Sequence, residues 1–171
     1  MRRNGFTMVM LGCLMMASGA RAAEQNGAAE FDRVKALVGT WRGPANEGAM
    51  NNDPVTVEYR LTSGGSAVVE TLFPGTSHEM VSVYHQDHGK LAMTHYCLMG
   101  NQPKLQEVAA NDQQIELQLS PDSGLDPSSP HMHALTIAWA DPNHITQTWT
   151  SYEQGQPKEK SVFTLARATT Q

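Results

Sequence analysis

The chain is poor in cysteine. Two of its 171 residues are cysteines, Cys13 and Cys97, and Cys13 lies in a segment that reads as removable. A single remaining thiol excludes an intramolecular disulfide, so packing must supply the stability even in an oxidising compartment. Long apolar runs are also lacking. Phe6 to Met16 carries no charge but is too short to span a bilayer as a stable helix. No phosphate-cradling glycine loop, Gly-x-Ser-x-Gly elbow or HExxH pair occurs, so the commonest signatures of phosphoryl transfer, acyl transfer and zinc proteolysis are missing. No internal repeat and no second domain is visible.

Basic charge is scarce once the amino terminus is set aside. Met1-Arg2-Arg3-Asn4, the uncharged stretch after it and Ala20-Arg21-Ala22 form the three-part pattern of a secretory signal peptide, over 1–22 with cleavage after Ala22. A lipoprotein acylated at Cys13 is the rival, but Met10-Leu11-Gly12 makes a poor attachment box. Cleavage takes Lys+Arg from 12 to 9 against 17 Asp+Glu, leaving a net charge of −8 with neutral histidines. Nucleic acid and anionic membrane surfaces both favour a basic face, so neither is an expected partner. The expected compartment is the periplasm or the exterior. The mature length suits one domain with one sizeable core.

What is present is mostly strand. Residues 23–30 are small and polar and read as a flexible lead-in. Phe31, Val34, Leu37 and Val38 then recur at helical spacing, with Gly39 as the stop. This short helix needs a surface to lie on. From Thr40 onward, short alternating runs are separated by turn clusters such as Ser63-Gly64-Gly65-Ser66, Asp87-His88-Gly89 and Asp141-Pro142-Asn143. Val55, Val57, Tyr59 and Leu61, alternating with Thr56, Glu58 and Arg60, show the period of two most clearly. About ten strands joined by hairpin-length links predict an all-β, antiparallel up-and-down barrel over 31–171, with a short N-terminal helix capping one end. Ser120 to Pro130 reads as a loop at a barrel mouth.

Gly39-Thr40-Trp41, after a short helix and opening the first strand, resembles the Gly-x-Trp signature of the calycin superfamily, which includes the lipocalins. That resemblance implies an arginine from the last strand across the tryptophan, and Arg167 is in the matching place. An arginine over an indole is a favourable cation–π contact. The runs LVGTWRG, VTVEYRLTSGGSAVVETLFPG, HEMVSVYH and LAMTHYCLMGNQP are similar to bacterial lipocalin-like barrel proteins. This implies a barrel with a central cavity and no particular reaction. A more distant resemblance, to the haem-binding barrel nitrobindin, implies a haem held by a histidine near the chain's end. His144 is the nearest by position.

Several residue groups bear on a site. His95 and Cys97 share a strand face with Leu91 and Met93, and His131 and His133 share one with Leu135, Ile137 and Trp139. If both faces look inward, these pairs could converge as zinc or copper ligands. The plainer reading makes His95 a hydrogen-bonded cavity histidine and His131 a strand start beside a loop. Cys97 is expected to be a buried thiol, since two strand positions separate it from His95 by roughly 6–7 Å. Asn101 and Gln102 stand at a loop exit, where their amides can hold a polar head group or satisfy the turn. Glu70 and Glu79 are expected to be solvated strand residues. No catalytic residue is assigned. The expected role is binding of an apolar or amphipathic small molecule lined by His95, Cys97, Asn101, His131 and His133. A haem or metal barrel with redox or isomerase chemistry is the alternative. Trp41 and Arg167 are structural.

Overall fold

The structure is a computed structural model, described for residues 18–47 and 54–169, with side chains for 27–46 and 54–169. Residues 1–17 of the expected signal peptide, Cys13 among them, lie outside the described residues, as does the 48–53 link. One helix, α1 (Ser18–Lys35), precedes ten strands. These are β1 (Gly39–Glu47), β2 (Pro54–Thr62), β3 (Ala67–Leu72), β4 (Met80–Asp87) and β5 (Lys90–Tyr96). They continue as β6 (Lys104–Asn111), β7 (Gln114–Leu119), β8 (His131–Asp141), β9 (His144–Glu153) and β10 (Gln156–Arg167). Each strand pairs with its sequence neighbours, and β1 pairs with β10, so the sheet closes on itself. All pairings are antiparallel. Closure leaves no strand edge to aggregate. No helix among the described residues is long and apolar enough to cross a membrane.

The alternation visible in the sequence becomes an inside and an outside. Val55, Val57 and Tyr59 of β2 are buried, and Val68 and Leu72 of β3 join them. Leu91, Met93, Leu105, Ile115, Leu117, Leu135, Ile137, Ile145, Trp149, Phe163 and Leu165 extend the same cluster around the barrel. The interior is therefore filled by side chains, as small barrels of this kind tend to be. Gly43 of β1 lies against the carbonyl of Thr164, where a Cβ would come within 1.9 Å. A side chain there would prise open the closing seam.

The helix starts earlier and ends sooner than its apolar period predicts. It takes in residues 23–30, read from sequence as a lead-in, where Ala28 and Ala29 favour helix. It stops at Lys35, not at Gly39. The amides of Leu37 and Val38 then bond three residues back, to Val34 and Lys35, which tightens the last turn. Gly39, at φ 129°, already belongs to β1. Three carbonyls at this exit are satisfied from the barrel. Trp41 Nε1 donates to Leu37 O at 2.7 Å, and Arg167 donates to Val38 O at 2.9 Å and to Ala36 O at 2.8 Å. The Arg167 guanidinium lies 4.3 Å from the centre of the Trp41 ring. First strand, last strand and helix end are thus tied at one point.

The helix lies across the end that carries the β4–β5, β6–β7 and β8–β9 turns. Gly27 meets the backbone of Gly89, Arg33 donates to Asn111 O at 2.7 Å, and the Arg33 guanidinium sits 4.2 Å from the Trp139 ring centre. The opposite end is the mouth. Its described links are 73–79, 97–103, 120–130 and 154–155.

Candidate functional site

Glu70, expected to be solvated, is fully buried. It shares the parity of Val68 and Leu72 along β3, and that parity points into the barrel. In the ladders Tyr59 stands opposite Glu70, Glu70 opposite Ser82, and Ser82 opposite His95. These four make one inward row across β2, β3, β4 and β5, and all are buried. Tyr84 lies two positions from Ser82 on the same face. From across the interior, β9 contributes Gln147 and Trp149, also buried.

The row is a connected hydrogen-bond network. Tyr84 donates to Glu70 Oε2 at 2.8 Å, and Gln147 Nε2 donates to Glu70 Oε1 and to the Tyr59 hydroxyl. Trp149 Nε1 lies 3.2 Å from Gln147 Oε1. An indole N–H can only donate, so this contact fixes which end of the Gln147 amide is oxygen. Gln147 therefore gives its N–H groups to Glu70 and Tyr59. The Tyr59 and Ser82 hydroxyls also favour the charged form of Glu70. Burial pushes the Glu70 pKa up, and the donors around it hold it back. Burial, then the Glu70 charge, drives Tyr59 and Tyr84 well above the usual phenol range.

His95 ends the row. Its Nδ1 is 3.0 Å from Ser82 Oγ, and its ring centre is 4.8 Å from that of Trp149. Burial lowers its pKa to about 4, so the imidazole is neutral at physiological pH. Its Nε2 is buried and has no hydrogen-bond partner among the described residues. An unpaired polar atom in such a place costs about 1–3 kcal/mol. Every other polar group of the row is partnered. Comparison with known proteins adds nothing to this picture: no family model and no curated protein matches the chain.

The other expected site residues lie elsewhere. A bulge in β8 between Met132 and Ala134 changes which side chains face inward. Met132 packs against the core, while His131 stands opposite Tyr152. The expected common face of His131 and His133 with Leu135, Ile137 and Trp139 is therefore corrected, because one inserted residue shifts the parity. His131 is nonetheless buried. Its Nδ1 is 2.7 Å from Ser129 O, its Nε2 is 3.1 Å from His133 Nδ1, and His133 stacks on Tyr152 at 3.8 Å. A carbonyl only accepts, so Nδ1 of His131 carries the proton and its Nε2 accepts from His133. The two histidine pairs do not converge. Among the described residues, no group of three or more His, Cys, Asp or Glu side chains is placed to hold a metal ion.

Asn101 donates to Pro130 O at 2.7 Å, tying the β5–β6 link to the β7–β8 loop. Cys97 sits in a turn closed by Gly100 N to Cys97 O at 2.9 Å. Burial pushes its thiol pKa up, which disfavours the reactive thiolate. Glu79 is exposed and its Oε2 accepts from Gly75 N at 2.6 Å, a loop-closing role. His144 lies at the exposed β8–β9 turn, its Nδ1 2.8 Å from Asp141 Oδ2. Sequence reasoning missed Glu70, Ser82 and Gln147. The signal was their parity with buried apolar neighbours, Gln147 lying between Ile145 and Trp149 on one face.

Proposed function

We propose that this protein is an exported small-molecule binding barrel, which takes an amphipathic ligand through the mouth and holds its polar end on His95. The carrying observation is His95 Nε2, buried and unpartnered at the end of a network that is otherwise satisfied. Buried polar atoms are ordinarily paired, so this atom is a ready anchor for a ligand group. The mouth chemistry agrees. Met80 and Met132 are only partly buried against the core, and Tyr96 at the end of β5 and Leu98 and Met99 in the link after it are exposed apolar side chains. The interior is filled, so a ligand would displace mouth side chains, and methionines rearrange readily. The signal-like residues 1–22 support export to the periplasm or exterior. The Gly-x-Trp and arginine pairing supports a calycin-like kinship, in which such barrels carry ligands.

Native mass spectrometry of the protein from its own host, set beside the denatured chain, tests this reading. An added mass matching an amphiphile is the expected result. If no adduct appears, and an apolar fluorescent probe also leaves the fluorescence of Trp149 unchanged relative to a Trp149→Phe control, the binding reading is wrong.

A further inference from the structure

The network around Glu70 has a direction. The Gln147 amide and the Tyr84 hydroxyl give hydrogens to the carboxylate, and the hydroxyl-bearing Tyr59 and Ser82 stand directly opposite it in the ladder and favour its charged form. Ser82 stands between Glu70 and His95 in the ladder, directly opposite each. A serine hydroxyl has one hydrogen, and beside a carboxylate it turns that hydrogen to the negative charge. Ser82 Oγ then presents lone pairs to the 3.0 Å contact with His95 Nδ1, so Nδ1 is the protonated nitrogen. A neutral imidazole has one N–H, which leaves Nε2 as an acceptor. The relay from Glu70 through Ser82 thus sets the tautomer of His95, as outer partners orient a ligand-holding histidine.

We infer that the ligand is an uncharged amphiphile whose polar end donates a hydrogen bond, from an alcohol or an amide N–H, to Nε2 of His95. This rests on the binding reading above and narrows it. A carboxylate or phosphate offers no hydrogen to a bare acceptor and would bring negative charge into an interior that already buries the acidic Glu70. The rest of the lining is apolar or already hydrogen-bonded, and no Lys or Arg is buried among the described residues. Nothing there would offset an anionic head group.

The test uses an alcohol, a primary amide and a carboxylate of one chain length, titrated into the mature protein at neutral pH and followed by calorimetry. The alcohol and amide are expected to bind at least about tenfold more tightly than the carboxylate, the scale of one hydrogen bond. Ser82→Ala releases the tautomer and should narrow that ratio, while His95→Leu should abolish it with the chain still bound. Nitrogen-15 spectra of the imidazole report directly on the native fold, and Nε2 of His95 should show the shift of an unprotonated nitrogen. A carboxylate that binds as well as the alcohol, or a protonated Nε2, overturns the inference and leaves the binding barrel intact. Failure of all three amphiphiles to bind overturns both.

Discussion

Glu70 is the residue on which the interior depends. A buried carboxylate is tolerable only when donors surround it, and here they come from three other strands. Glu70→Ala would leave Tyr84, Gln147 and Tyr59 facing an empty acceptor site. Denaturant unfolding should show a loss of about 3 kcal/mol or more. His95 gives a second prediction, in pH. Its pKa is depressed from 6.5 to about 4 by burial, so the unfolded chain takes up a proton before the folded one. The stability from neutral His95 is full above pH 6.5 and is lost as the pH falls toward 4, by about 3 kcal/mol in all. Glu70 works the other way, because its raised pKa favours the folded state on the acid side. The comparison to make is therefore the slope of stability against pH in the parent and in His95→Phe, which should be flatter across that window.

Two elements make their own predictions. In α1, Gly27 disfavours helix relative to alanine by about 1 kcal/mol, yet a Cβ there would stand 2.4 Å from Gly89 O. Helix propensity predicts that Gly27→Ala stabilises; the close approach predicts the reverse. The backbone contact cannot yield, so the variant should melt at a lower temperature, by an overpacking penalty of about 1–3 kcal/mol. In β8, the bulge holds His133 over Tyr152 and against His131, and the loop just before His131 is bonded through Ser128 O to Gln154 N and through Pro130 O to Asn101. Burial, then His131, depresses the His133 pKa, so the stability carried by neutral His133 is full above pH 6.5 and is lost as the pH falls. Amide exchange in the 120–130 loop should therefore quicken in acid more than in the rest of the barrel, and His133→Ala should remove that difference. The ten strands were legible because short strand-forming runs, many with a period of two as in β2 and β3, lie between turn residues. The bulge was not: nothing in His131-Met132-His133-Ala134 marks an extra residue, since its cause is the register with β9. The polar row was half legible. Tyr59 and His95 sat in plain alternation, but a glutamate read alone is a surface residue until its donors, far away in sequence, are brought to it.

At the scale of the whole molecule, the closing seam is held by a clasp between distant parts of the chain. Arg167 meets Val38 and Ala36 across 129 and 131 residues and covers Trp41. A lysine has the charge but not the fork, so it can meet one carbonyl and lose the flat stack on the indole. Arg167→Lys should weaken the fold by about 1–3 kcal/mol, seen as a lower denaturant midpoint with an unchanged slope.

That clasp also sets a schedule. A ribosome makes the chain from its amino end, and the barrel has no partner for β1 on one side until β10 follows. Hairpins can form as they emerge, but the ring cannot shut until β10 is free of the exit tunnel. For most of its synthesis the chain is an open, unlocked ribbon.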